Sequence, residues 1–149
     1  MARGDSKKVS EYDLKSGDGA YNNSSDTFAY LLVTNTYASI DANTALNAAS
    51  FTGATVGGNY AGKTALTGVT WTRAANVSTL DFNDISIAAD GSNPTDAKCL
   101  VILNDTSAAD DAFKIVDLTT DGTTAVDLTA GDFTYTVNAS GSATVTTNV

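Results

Sequence analysis

The chain has 149 residues and a mass of 15.2 kDa, the size of one domain, and its 42% hydrophobic against 17% charged residues suffice for a buried core. Eight Lys and Arg against seventeen Asp and Glu leave a net charge of −9, which repels nucleic-acid phosphates and anionic lipid head groups alike. With no His and a single Cys, imidazole bases, His-ligated metals, CxxC redox chemistry and intrachain disulfides are excluded, and most enzyme classes with them.

Residues 1–25 have a polar, mildly basic texture with neither helical nor strand periodicity, and they lack the apolar core of a secretory signal. Residues 1–15 carry a net +1, from Arg3, Lys7, Lys8 and Lys15 against Asp5, Glu11 and Asp13, while the remainder carries −10. The reading is an extended, flexible arm over residues 1–25 attached to a single β domain over 26–149, made in the cytoplasm. Arg3, Lys7, Lys8, Tyr12, Leu14, Lys15 and Tyr21 are its candidate docking residues. The arm would anchor by adding main-chain hydrogen bonds to a partner's strand edge, and removal of residues 1–15 is expected to leave a folded body. Arg3-Gly4-Asp5 spells an integrin tripeptide, but three residues recur by chance.

From Thr27 onward β-branched and aromatic residues alternate, interrupted by Gly, Asn and Asp, which is the pattern of an antiparallel β-sandwich or compact barrel of jelly-roll or Ig-like kind. The spacing predicts strands at Thr27–Thr34, Val69–Arg73, Val77–Phe82, Ile85–Ile87, Ala97–Leu103, Ala112–Leu118, Ala125–Leu128, Asp132–Val137 and Ala143–Thr147. Val69–Arg73 and Val77–Phe82 read as a hairpin. Lys98–Leu103 is continuously apolar after its lysine, as in a central strand buried on both faces, which makes Cys99 an inert core thiol. One short helix is expected within Ser39–Gly58, capped by Asp41 or Asn43. Val116-Asp117-Leu118-Thr119 recurs as Val126-Asp127-Leu128-Thr129, which reads as two neighbouring strands of a meander.

Two patterns could carry chemistry. Gly57-Gly58-Asn59-Tyr60-Ala61-Gly62-Lys63-Thr64 matches the phosphate-binding G-x(4)-G-K-[ST] string, but residues 65–72 are strand-like and broken by Gly68, so the helix N-terminus that such a loop needs is not expected. Acidic clusters at Asp81–Asp84, Asp90–Asn93, Asn104-Asp105 with Asp110-Asp111, and Asp121-Gly122 have no EF-hand spacing and read as turns, with a Ca²⁺ site made by two converging loops as the alternative. No catalytic residue, cofactor or metal ligand is nominated.

Gly68-Val69-Thr70-Trp71-Thr72-Arg73-Ala74-Ala75-Asn76-Val77-Ser78-Thr79-Leu80, Cys99–Thr106 and Gly131–Val137 resemble stretches of small capsid decoration, or cement, proteins of tailed bacteriophages, over roughly residues 64–140. The resemblance implies a β-rich virion protein on the outer surface of the phage head. It also implies a major capsid protein as partner, a small homo-oligomer such as a dimer or trimer, and no enzymatic activity, nucleic acid or membrane. The alternative is another virion component: a tail, fibre or receptor-binding β domain.

Overall fold

The computed structural model describes residues 3–74, 77–137 and 143–147. In chain order the elements are β1 (Ser6–Lys8), α1 (Ser10–Gly17), β2 (Phe28–Val33), α2 (Tyr37–Asp41), a 3-10 turn (Ala48–Ser50), β3 (Thr64–Ala65), β4 (Thr70–Ala74), β5 (Val77–Asp81), β6 (Ile85–Ile87), β7 (Cys99–Asn104), β8 (Asp111–Asp117), β9 (Phe133–Val137) and β10 (Ala143–Thr147). The fold is predominantly β, and every strand pairing is antiparallel. The strands form a five-stranded sheet in the order β1-β8-β7-β2-β3, a three-stranded sheet β10-β9-β6 and the two-stranded hairpin β4-β5. None of the three closes on itself, so the barrel alternative is not realised.

Strand β7 dictates this arrangement. All six of its residues are buried, so its backbone groups must all be paired within the protein, and β2 and β8 flank it on both edges. Phe28, Tyr30 and Leu32 lie opposite Asn104, Ile102 and Leu100 on one face, and Ala29, Leu31 and Val33 lie opposite Leu103, Val101 and Cys99 on the other. The outer edge of β2 is covered piecemeal. Strand β3 pairs at Ala29 and Tyr30, Ala54 N–H donates to Leu32 O at 2.8 Å, and the buried Tyr60 hydroxyl accepts from Leu32 N–H at 2.9 Å. A side chain here does the work of a neighbouring strand.

Between β7 and β8 the register slips. Ile102 faces Lys114 and Leu103 faces Ala112, which leaves Phe113 as the extra residue of a β-bulge. Its freed ring meets Tyr12 edge-on at 5.0 Å, Phe28 at 6.0 Å and Trp71 at 6.4 Å. In the other sheet Phe133 and Tyr135 are buried, and Tyr135 stacks on Phe82 at 6.3 Å. One continuous apolar core joins these groups to β2, β7 and β8.

Several expectations need correction. Residues 3–25 are not a free arm: β1 pairs with β8, α1 follows, and Val9 and Tyr12 are 1% and 2% exposed. The helical turn near residue 40 begins earlier than expected, because Thr36 supplies the cap to Ser39 N–H and Asp41 closes the helix instead of opening it. A second single turn is capped by Asn47 in a reciprocal box with Ser50. The stretch Ala125–Leu128 forms no strand: Val126 makes an isolated bridge to Ala97, and Leu128 N–H donates to Pro94 O at 3.1 Å.

The repeated Val-Asp-Leu-Thr phrase is likewise not a pair of neighbouring strands. Leu118 N–H donates to Lys98 O and Val126 N–H to Ala97 O, so the two copies reach consecutive residues leading into β7. Each copy repeats one turn: Asp117 Oδ1 accepts from Thr119 N–H and hydroxyl, and Asp127 Oδ1 accepts from the same groups of Thr129.

Burial makes the fold sensitive to alkali. Desolvation pushes the Tyr60 and Tyr135 phenols and the Cys99 thiol up to about 12. The unfolded chain releases these protons near pH ~8.5 for the thiol and ~10 for the phenols. The neutral groups therefore contribute stability in full below those values, and it is lost as pH rises toward 12. With no His, the urea midpoint is expected to be flat from about pH 6 to 8 and to fall steeply above about pH 10, with tyrosinate absorbance rising cooperatively at unfolding. Cys99 should resist a thiol-specific disulfide reagent until the protein is denatured.

Candidate functional site

The docking residues proposed from sequence do converge, but on their own chain. Helix α1 has acidic residues in its first turn, Glu11 and Asp13, and Lys15 in its last, which complements the helix dipole. Tyr12 faces inward and stacks on Tyr21 with ring centroids 4.7 Å apart. The Tyr12 hydroxyl accepts from Asn104 Nδ2 at 3.2 Å and donates to Asn23 Oδ1 at 2.5 Å. Tyr21 donates to Asp111 Oδ2, and Lys15 Nζ lies 3.3 Å from Asp111 and 3.3 Å from Glu11.

The electrostatics follow from this packing. Burial raises the Tyr12 phenol, opposed by the Asn104 hydrogen bond. Burial and then the Asp111 hydrogen bond push Tyr21 up to about 12. Partial desolvation disfavours the Lys15 cation, but the hydrogen bonds to Asp111 and Glu11 outweigh it and raise Lys15 on balance. Two neutral phenols and a bridged lysine thus surround Asp111.

The other basic candidates, Arg3, Lys7 and Lys8, are also engaged. Arg3 Nε donates to Leu118 O at 2.9 Å. Lys7 bonds to the Asp41 carbonyl and lies 3.3 Å from its carboxylate, and Lys8 pairs with Asp13 while its ammonium stands 5.4 Å from the Phe113 ring centre. Leu14 is different. It is 66% exposed and, with Val56, one of the two large hydrophobic side chains exposed among the described residues. Ser10, Glu11, Leu14 and Thr44 line a shallow depression of about 380 Å³ on the outer face of α1. The tripeptide Arg3-Gly4-Asp5 is no presented loop: Gly4 N–H donates to Asp117 O and Asp117 N–H to Asp5 O, both at 2.8 Å.

Sequence reasoning read Asn104 and Asp111 as part of a turn and Phe113 as one residue of a strand, and did not see that they receive the N-terminal segment. The available signal was local: Glu11 and Lys15 at i, i+4 with Tyr12 between them mark a short amphipathic turn.

The G-x(4)-G-K-[ST] string serves the fold. Gly57 and Tyr60 bridge across a tight turn in which Gly58 has φ +57°, and a Cβ on Gly58 would stand 2.5 Å from Asn93 Oδ1. Asn93 is buried and ties three segments by accepting from Asn59 N–H and donating to Ala88 O and Leu128 O. Lys63 is held by Asp105 at 2.5 Å and Asp110 at 2.9 Å, hydrogen bonds that raise its pKa, and Thr64 begins an edge strand where a phosphate loop has a helix. Of the acidic clusters, Asp90 accepts from Ser92 N–H and Asp121 from Thr123 and Thr124 N–H in turns, while Asp105 and Asp110 hold Lys63 and Asp111 holds Lys15. Among the described residues no group of three or more carboxylate, thiol or imidazole side chains is placed to hold a metal ion, and no helix is long and apolar enough to cross a membrane.

Compared with protein-family models, curated proteins and solved structures, the chain matches none.

The docked segment makes a testable demand. Tyr12→Ala is expected to lower unfolding free energy by about 3–5 kcal/mol through loss of a buried aromatic side chain, whereas Tyr12→Phe costs about 1 kcal/mol through the hydroxyl alone. Urea titrations followed by Trp71 emission distinguish the two. Equal, negligible effects would return the segment to the status of a free arm.

Proposed function

We propose that the protein is a virion structural protein, a decoration or cement protein that binds the outer surface of a phage head and stabilises contacts between major capsid subunits. The five-stranded and three-stranded sheets are read as the two layers of its sandwich, and a small homo-oligomer as its working form. Support comes from the resemblance in three stretches that form the β4-β5 hairpin, β7 and β9. The observation that carries the reading is where the cations go. Lys7, Lys8, Lys15 and Lys63 each pair with a carboxylate of their own chain, so an acidic, preordered surface remains for a protein partner.

The docking residue is Leu14, not the basic residues of an arm. It stands on a helix whose inner face is pinned by Tyr12, so little ordering entropy is lost on contact. Co-sedimentation with empty heads assembled from the major capsid protein is expected to show saturable binding and to raise the melting temperature of the heads. Leu14→Asp should weaken that binding by more than about tenfold while leaving the protein's own unfolding free energy, from urea titration, unchanged within about 0.5 kcal/mol. Failure of the wild-type chain to sediment with heads would remove the reading.

A further inference from the structure

A second surface lies apart from the outer face of α1. Residues 23–28, β3 with Leu66, and the start of β4 enclose a groove of about 540 Å³, within the range of small-ligand sites. Its apolar side is formed by Trp71, Leu66 and Val69 over the buried Phe28, and its polar side by Asn23, Asp26 and Thr70. Trp71 is half-buried and braced edge-on by Phe113, so its indole is held without being fully covered. It is the chain's single tryptophan.

The polar side is oriented from beneath by one buried residue. Asn104, fully buried, donates one amide hydrogen to Tyr12 Oη at 3.2 Å and the other to Asp26 Oδ2 at 2.8 Å. Because the Tyr12 hydroxyl accepts from Asn104, its own proton goes to Asn23 Oδ1. This chain fixes which end of the Asn23 amide is occupied and leaves its NH2 without a partner among the described residues. Asp26 Oδ2 is likewise occupied by Asn104 and Asn22 N–H, while Oδ1 has no partner there. A donor and an acceptor, both planar and both held, therefore line the same groove as an aromatic ring.

From this juxtaposition we infer that the groove beside Trp71 is a binding site for a neutral saccharide. A pyranose offers an apolar C–H face to the indole and vicinal hydroxyls that both give and accept hydrogen bonds, matching Asp26 Oδ1 and the Asn23 amide. None of the groove's residues is basic, and Asp26 is acidic, which disfavours phosphate, sulfate and carboxylate ligands. The mixed lining likewise disfavours a purely apolar ligand, which would leave Asp26 and Asn23 desolvated and unpaired.

The test uses the full chain and Trp71 emission as its reporter, with maltotriose, cellotriose, triacetylchitotriose and mannotriose as probes, inorganic phosphate as the anionic control, and a printed array of neutral glycans. At least one neutral oligosaccharide is expected to shift Trp71 emission saturably, while phosphate does not. In calorimetry Thr70→Arg, which places a long side chain across the groove from an exposed position, should weaken binding by about tenfold or more, and Trp71→Phe by a smaller factor. Urea midpoints of both variants establish that they fold. The inference is overturned if no neutral glycan on the array or among the four probes binds, if phosphate binds in their place, or if binding survives Thr70→Arg undiminished. Saccharide binding without head binding would remove the decoration reading and leave this one standing, and the converse holds as well.

Discussion

One ring, Phe113, connects pieces of chain that local structure would leave apart. A single extra residue in β8 shifts the register against β7 and frees this side chain from the regular alternation. Around it gather Tyr12 of α1, Phe28 of β2, Trp71 of β4 and the ammonium of Lys8. Its backbone is used as well, since Phe113 O accepts from Val9 N–H at 3.0 Å where the chain passes from β1 into α1. Helix, large sheet and hairpin thus share one aromatic cluster, and each aromatic pair adds about 0.5–1.5 kcal/mol beyond area burial.

The same bulge governs the polar chemistry. Beside it Asp111 receives Tyr21 and Lys15, and across the sheet Asn104 receives Tyr12 and Asp26. Buried polar groups of this kind are tolerated only when paired, and Asn104 is paired on both ends: its amide hydrogens go to Tyr12 and Asp26, and its oxygen accepts from Thr106 and Ser107 N–H. The network therefore closes the N-terminal segment onto the body and, on its far side, orients the groove beside Trp71. Two candidate surfaces, the outer face of α1 and that groove, depend on one internal arrangement.

Legibility in the sequence divided along physical lines. Strands with long-range burial were readable: Cys99–Asn104 from its unbroken apolar run, Phe28–Val33 and Phe133–Val137 from β-branched and aromatic content, and the β4-β5 hairpin from its turn. Strand β1 is three residues, Ser-Lys-Lys, with no apolar signal, and it forms because β8 offers a bare edge. Helix α1 buries chiefly one large side chain, too little to raise a periodicity, yet that side chain reaches Phe113. The glycines and lysine of residues 57–64 spelled a phosphate loop, and only the close approach to Asn93 and the pairing of Lys63 with Asp105 and Asp110 explain them. The residues proposed for docking converge in space, but what holds most of them is β8 and its neighbours, a long-range fact that a linear pattern does not carry.

The central claim is that residues 3–25 are part of the folded body, and amide hydrogen exchange tests it residue by residue. The Val9 amide, bonded to Phe113 O, is predicted to exchange through the same opening as the Asp117 amide, bonded to Asp5 O, and the Ala112 amide, bonded to Leu46 O. Protection of all three should fall together in Phe113→Ala. If the Val9 amide exchanges at the rate of an unstructured peptide while the β7 amides stay protected, the segment is a free arm and the account built on Phe113 is wrong.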